Sequence, residues 1–507
     1  MKPTLSVHVV LLLLILFPIP SSFGVEDAQV SEKSEEKETP DTSDQAARDL
    51  GKPAEEKDVT VFSLEDCIEL GMKQNREFLR EEEDFVLEHL SYELTRHNYG
   101  PLFDGTIRAD IDDTDSTTQS AELSVSKKLF TGGDISLSAS STGSKPGETD
   151  GTETDSYSSI LSLSYTQPLL KDAGHLVYRE DLTSAERELR YAMRSLDLFK
   201  QQFLIDIVRQ YYRILQGAST IENQEKKVEN SESLLERSKA QRERGKVSPI
   251  DVYRAELTLL QAENQLINAR ESYQLGLDEF KIDLGLPAEK EIRLKDKELQ
   301  FVPVDKDVNK YMTQALNNRL DLKTAQDSLD DNKRNLDIAR NRLRSRLDLG
   351  FSVQKAAGPA VSFSDQDFGD TEWTVNLEYE VPLDRFSERT DYRRQLISYL
   401  RQAREFERQR DQVIVDVRSV IRNLRQAEAS IKIEERNIEV LELQLKRARE
   451  DFGRGLINNR DVVDALNDLT DAMNNYDKAI VDYTIARLDL MRITGVLDFE
   501  KWKELIE

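Results

Sequence analysis

Few side chains in this 507-residue chain combine a chemically capable type with a useful spacing. His8, His89, His97 and His175 show neither metal-ligand spacing nor a nucleophile motif. Gly132-Gly133 lacks the strand-to-helix context of a phosphate loop and reads as a turn between strands. Cys67 is the sole cysteine, which excludes an internal disulfide and suits a buried free thiol. What remains is polar chemistry at helix starts, and it occurs twice. In Ser248-Pro249-Ile250-Asp251, serine suits the N-cap, proline the first helical position, and the acid the positive end of the helix dipole. Asn458 and Asp461 supply the same types 210 positions after Ser248 and Asp251, and Gly245 and Gly455 precede the two groups as breaks. Such residues turn a chain and place charge; nothing here points to catalysis or to a bound cofactor.

The elements that must position these groups are also duplicated. Arg244-Gly245 with Asp251-Val252 returns as Arg454-Gly455 with Asp461-Val462, and Gly285 returns as Gly495. Upstream of the first tip, residues 177 to 244 read as one long helix, on which Ile214, Ile221, Val228 and Leu235 lie seven apart. Their counterparts Leu424, Ile431, Ile438 and Leu445 keep that spacing, so each seam must be buried against neighbouring helices. Downstream, Val252, Ala255, Leu259, Ala262, Leu266, Ala269 and Tyr273 mark the inner face of a returning helix of about 37 residues, mirrored by Val462 to Tyr483. Ser63 and Asp66 open a capping-box-like start for a helix of about 34 residues, Leu64 to His97. Stacked end to end, the two shorter helices match the long one in length. Asn75-Arg76 aligns with Asn318-Arg319, a step of 243, against 214 between Tyr165 and Tyr379, so the first copy carries extra material. The hairpin around Gln119 to Thr142 is the candidate.

Between the helices the period changes to two. Ile107, Ala109 and Ile111 alternate with polar residues, as do Ala121, Leu123 and Val125, then Leu161, Leu163 and Tyr165. In the second copy Trp373, Val375, Leu377, Tyr379 and Val381 form one face, and Thr374, Asn376, Glu378 and Glu380 the other. A soluble sheet with a core face fits this pattern, and so does a membrane barrel wall with lipid outside and water inside. One chain has too few strands to close a barrel, so a barrel needs several copies. Lys2, the apolar run Val9 to Phe17 and Ser22-Phe23-Gly24 make residues 1–24 a signal peptide, and residues 25–59 form a polar, acidic, disordered leader. The formal net charge of −26 argues against nucleic acid as a partner.

From residue 60 to 497 the chain resembles the TolC-like outer-membrane efflux proteins, through its doubled helix, strand, helix order and the Gly-x-x-Ser/Asn-x-x-Asp at both tips. The resemblance implies a mainly α fold with a β-barrel portion: a homotrimer with an α-helical barrel in the periplasm and a shared transmembrane β-barrel in outer-membrane lipid. It further implies a passive exit duct whose tips dock on a periplasmic adaptor, or membrane fusion protein, and through it on an inner-membrane transporter of an efflux or type I secretion system. Gly245, Ser248, Asp251, Gly455, Asn458 and Asp461 would then face the adaptor. Asp461 and Asp464 match acidic entrance positions, where like charges across a narrow opening favour cations. Phe452 and Ile457 stand where some members carry a tyrosine and an arginine that tie the tips shut. Asp110, Glu378 and Glu380 would line the barrel lumen, and the extra hairpin, if it joins the wall, would raise the strands per chain from four to six. The corresponding division is a first repeat over 60–287, with strands about 102–168 and a tip about 245–251, and a linker over 288–310. A second repeat over 311–497 has strands about 347–383 and a tip about 455–461, and 498–507 forms a tail. The rival reading is a secreted coiled-coil scaffold without channel activity, whose strands make a soluble cap.

Overall fold

The structure is a computed structural model and describes residues 60–111, 116–145, 155–245, 247–295, 303–305 and 307–499. The expected signal peptide and leader lie outside these residues, as does all but the start of the C-terminal tail.

Helix α1 (Leu64–Gln74) begins in a capping box: the Ser63 hydroxyl accepts the Asp66 N–H at 3.2 Å, and the Asp66 carboxylate accepts the Ser63 N–H at 2.9 Å. The single helix expected from Leu64 to His97 is in fact two. Asn75 is extended (φ −66°, ψ 125°), and its side chain caps α2 (Arg76–His97) by accepting the Phe78 N–H at 2.8 Å. The second copy breaks at Arg319 (φ −55°, ψ 124°), between α6 (Val308–Asn318) and α7 (Leu320–Arg342). Aligning the two Asn-Arg pairs by identity was therefore one residue out of register, since the structural equivalents are Asn75 and Arg319. Arg319 has no capping oxygen, so Asp321 takes over: it accepts the Leu322 N–H at 2.9 Å and binds the Arg319 guanidinium.

The short α3 (His175–Tyr178) leads into α4 (Glu180–Glu243), which is 64 residues long; its counterpart α8 (Phe386–Arg454) has 69. At 1.5 Å per residue each spans about 100 Å. The returning helices are α5 (Pro249–Asp283) and α9 (Asn459–Ile493). As the lengths predict, α2 and α5 both lie along α4, one beyond the other. At their meeting point Gly285 holds φ 73°, and a Cβ there would come within 2.3 Å of the Gln74 carbonyl oxygen. Gly495, at φ 65°, sits on Asn318 in the same way, a Cβ there coming within 2.8 Å of the Asn318 Cβ. Helix α9 packs on both α8 and α4, so the two hairpins stand side by side in the order α5, α4, α9, α8.

Two apolar clusters anchor the middle of the molecule. Leu64, Ile68, Phe78, Phe203, Tyr211 and Phe280 belong to the first copy's cluster, and Val413, Val417, Ile421, Leu424 and Tyr483 to the second's. Cys67 is buried in the first, and its burial pushes the thiol up to about 12, so it is inert. Beside it β1 (Thr60–Phe62) pairs in parallel with β6 (Ile292–Leu294), a strand inside the segment expected to be a linker. Near the sheet a charged network joins the copies: Asp327 binds Arg187 at 2.5 Å and Arg194 at 2.8 Å, and Arg334 binds Glu180 at 2.6 Å. Burial works against the Asp327 charge, but the hydrogen bonds from Arg187 and Arg194 outweigh it and hold that carboxyl below its usual range.

The remaining strands form one antiparallel sheet in the order β2 (Leu102–Ile111), β3 (Thr117–Lys128), β4 (Asp134–Lys145), β5 (Ser156–Pro168), β7 (Arg346–Ala360), β8 (Phe368–Glu380). The extra hairpin of the first copy, β3 and β4, thus joins the sheet between β2 and β5. Its Gly132-Gly133 turn lies at the helical end of the sheet, where the Gly174 N–H donates to the Thr131 carbonyl at 3.0 Å.

Gly245 also has a positive φ (67°) but open space around it. Gly285→Ala should therefore lower the thermal unfolding temperature well beyond Gly245→Ala. We expect about 1 kcal/mol for the open position and about 2–4 kcal/mol where backbone strain and a clash combine, measured by circular dichroism in detergent. Equal losses would show that the junction at Gln74 yields freely.

Candidate functional site

The two tips carry out the capping chemistry expected of them. At the first, the Ser248 hydroxyl and N–H both donate to the Asp251 carboxylate, at 2.7 and 3.1 Å, and Pro249 opens α5. At the second, α8 ends with Gly455 at φ 78°, where the Gly455 N–H donates to the Phe452 carbonyl and the Leu456 N–H to that of Asp451, each at 2.9 Å. The Asp461 carboxylate then accepts the Asn458 N–H at 3.2 Å. Both shared aspartates are thus held by backbone at a helix N-terminus. Asp464 is exposed and lies 3.6 Å from Arg460 one turn before it. The first copy has Arg254 and Ile250 at these positions, so Asp464 is the acid that distinguishes the second tip.

Phe452 and Ile457 belong to an apolar cluster at the tips. Phe452 is fully buried with Leu234, Leu445, Val462 and Leu466, and Ile457 packs on the same cluster. The cluster joins α4 to α8 and α9, so an apolar knot ties the two tips of one chain. Polar bonds reinforce it: Gln241 donates to the Phe452 carbonyl at 3.1 Å, and the buried Asn459 donates to the Asp251 carbonyl at 3.0 Å. Farther along, the join between α4 and α9 is polar. Asn223 donates to Asn474 at 2.9 Å and Ser219 to Asp477, whose carboxyl is pushed up by burial against the pull of those hydroxyl and amide donors.

The sheet supplies the second feature, which comes from its register. One row across all six strands reads Phe103, Val125, Leu137, Leu163, Val353, Trp373, and the adjacent row reads Asp104, Ser124, Ser138, Ser162, Gln354, Glu372. Neighbouring rows point to opposite faces, so one face is apolar and the other polar. Phe103 and Trp373 are 71% and 70% exposed on the apolar face, with Ile107, Leu377 and Tyr379 also exposed, so among the described residues no element covers it. On the polar face the Ser138 and Ser162 hydroxyls bond at 2.7 Å and those of Ser136 and Ser164 at 2.6 Å. Asp110, Glu378 and Glu380 all belong to that face, but the structure does not bring them together. Asp110 lies at the end of β2 far from the helices; Glu378 and Glu380 lie beside Asp348 and Arg346 at the helical end. Among the described residues β2 and β8 are each paired along one side only.

Sequence reasoning missed a second seam on α5. Ile250, Tyr253, Leu257, Leu260 and Ile267 follow heptad spacing and are each more than half exposed. The signal was present as spacings of three, four, three and seven, masked by the stronger alanine-rich face. Among the described residues no helix is long and apolar enough to cross a membrane, and no cluster of His, Cys, Asp and Glu is arranged to hold a metal.

The profile of the outer membrane efflux protein family matches residues 92–277 and 311–496, one match per copy. A search of curated proteins by sequence found no match. Solved structures share the fold. The outer-membrane channel OprN superposes with a TM-score of 0.66 at 16% identity, over 86% of this chain and 90% of its own. The CmeC outer membrane channel of Campylobacter jejuni gives 0.65 at 12% identity, over 93% and 97%. The outer membrane protein VceC of Vibrio cholerae gives 0.65 at 14%, over 85% and 96%.

Capping predicts separate fates for the tip acids. Ser248→Ala and Asp461→Ala should each lower the local stability of their hairpin by about 0.5–1 kcal/mol, seen as faster amide hydrogen exchange at the start of α5 or α9. Asp464→Ala should leave exchange there unchanged.

Proposed function

The chain belongs to the outer membrane efflux protein family, a family of channels rather than enzymes, and on that footing we propose that it is the passive outer-membrane exit duct of a tripartite efflux or type I secretion system. Three copies, the number implied by the family resemblance, would close the barrel and the helical tunnel. The observation that carries this reading is the sheet: an uncovered apolar face, a polar face opposite, and an open edge on each side. In hydrocarbon an open edge leaves backbone groups without partners, so β2 of one copy must meet β8 of the next. The secreted-scaffold alternative would leave both that face and those edges in water.

The helices favour the same closure. The open seam of α5 stands at one side of the four-helix row, and α8, at the other side, exposes Ile433, Val440 and Leu443. Seating one on the other joins neighbouring copies through apolar side chains. The tips at Gly245, Ser248 and Asp251 and at Gly455, Asn458 and Asp461 then point to the periplasmic end, available to an adaptor. Asp464 is the acid best placed to act on ions there, because Asp461 is engaged by the Asn458 N–H. Transport energy would come from the inner-membrane partner.

Three measurements test this. Leu257→Glu with Ile267→Lys should abolish the heat-modifiable trimer band on gels, whereas a variant that still migrates as a trimer would remove α5 from the interface. In planar bilayers under a salt gradient, Asp464→Ala should reduce cation preference, and Arg460→Ala, by freeing Asp464, should increase it; an unmoved reversal potential in both would place the constriction elsewhere. A photocrosslinker at Leu456, 68% exposed, should capture the adaptor in cells.

A further inference from the structure

We infer that the β3–β4 hairpin is a pore-widening insertion, so that three copies close a barrel of eighteen strands, three times the six of one chain. This rests on the trimeric channel reading above and concerns the bore of that channel. The two copies of the repeat show what was added. The second contributes β7 and β8; the first contributes β2 and β5, with β3 and β4 threaded between them. Without the hairpin the chain would supply four strands and the trimer twelve.

Three observations place the hairpin in the wall. Its pairing is continuous: β3 pairs with β2 over ten positions and with β4 over twelve, and β4 pairs with β5 from Asp134 to Ser144. Its alternation continues that of its neighbours, with Ala121, Leu123 and Val125, then Ile135, Leu137 and Ala139, on the apolar face. Its polar face resembles that of β5 and differs from that of β2. Thr118, Ser120, Ser124, Ser126, Ser136, Ser138, Ser140, Thr142 and Ser144 are hydroxyls, interrupted by Glu122, whereas β2 brings Asp104 and Asp110. Each hairpin therefore extends the hydroxyl-rich face of β5 toward the acidic β2, with Glu122 as the one carboxylate near its middle.

The bore follows from geometry. With strands about 4.8 Å apart and tilted about 40°, eighteen close at a backbone radius of about 18 Å and twelve at about 12 Å. Four helices per chain give a twelve-helix tunnel, and helices about 8–10 Å apart close at about 15–19 Å. The wider barrel matches the tunnel on which it stands; the narrower one would force a taper at the junction.

The test labels single cysteines in the trimer reconstituted into phosphatidylcholine vesicles, using a membrane-impermeant maleimide. Cys67 is buried and remains silent. Ser124→Cys and Ser138→Cys should react at least about tenfold faster than Leu123→Cys and Leu137→Cys, matching controls at Ser162 against Leu163 and Thr374 against Val375. Alternation in the controls with equal labelling on both faces of β3 and β4 would overturn the inference while leaving the channel reading intact. Loss of alternation in the controls too would overturn both. End-on electron micrographs of the detergent-solubilised trimer give an independent measure, since a wall about 24 Å across between backbones, instead of about 36 Å, also rules out the insertion.

Discussion

The structure depends on one constraint: a strand edge in hydrocarbon must be paired. Each unpaired N–H or C=O in lipid costs several kcal/mol, because no water is present to take its hydrogen bond. The six-strand sheet ends in β2 on one side and β8 on the other, and neither finds a second neighbour within the described chain. Oligomerisation is then a condition of being in the membrane at all. The same requirement bears on the helices below, because strands of adjacent copies can meet only if their helical hairpins also stand side by side. An open heptad seam on α5 and exposed apolar residues on α8, at the two sides of the row, are what such closure needs.

Duplication resolves how a single chain holds two hairpins in parallel over about 100 Å. Helix α9 is shared, packing on its own long helix α8 and on α4 of the first copy. The join is apolar at the equator and at the tip and polar between them, where Ser219, Asn223 and Lys227 face Asp477, Asn474 and Asp471. Apolar contacts fix position, and the polar middle fixes register, because a slip of one turn would leave Asn223 or Asp477 buried without its partner. The near-coincidence of Gly285 with Gln74, and of Gly495 with Asn318, sets the level at which the stacked short helices meet.

Most of this frame was legible because periodicity survives any tertiary context. The heptads of α4 and α8 and the inner faces of α5 and α9 emerge as read, with Val252, Ala255, Ala262, Val462, Ala465 and Ala472 buried. What was not legible depends on partners distant in sequence. The breaks at Asn75 and Arg319 carry no glycine or proline; they form because Asn75 bonds the end of α5 through the Asp283 carbonyl and because Arg319 reaches Asp416 of α8. Strand β6 has three residues and no alternation to detect, and it forms only because β1 lies beside it. The membership of Asp110, Glu378 and Glu380 in one face was readable from alternation alone. Their separation along the wall was not, since it depends on the direction in which each strand runs.

The tips show how a repeated motif can keep its capping chemistry while its charges diverge. Asp251 and Asp461 are constrained by the helix: a carboxylate that accepts a backbone N–H at an N-terminus is oriented toward the peptide groups, and its field is largely spent there. An acid that is to act on passing ions has to be free of that duty, and one helical turn farther on is the nearest position that is. The second copy has Asp464 at that position and the first has Arg254, which instead approaches Asp251 at 3.6 Å. Arg460, at 3.6 Å, moderates Asp464 without burying it. Capping thus accounts for what the copies share, and Asp464, exposed outside the capping box, is what sets the second tip apart.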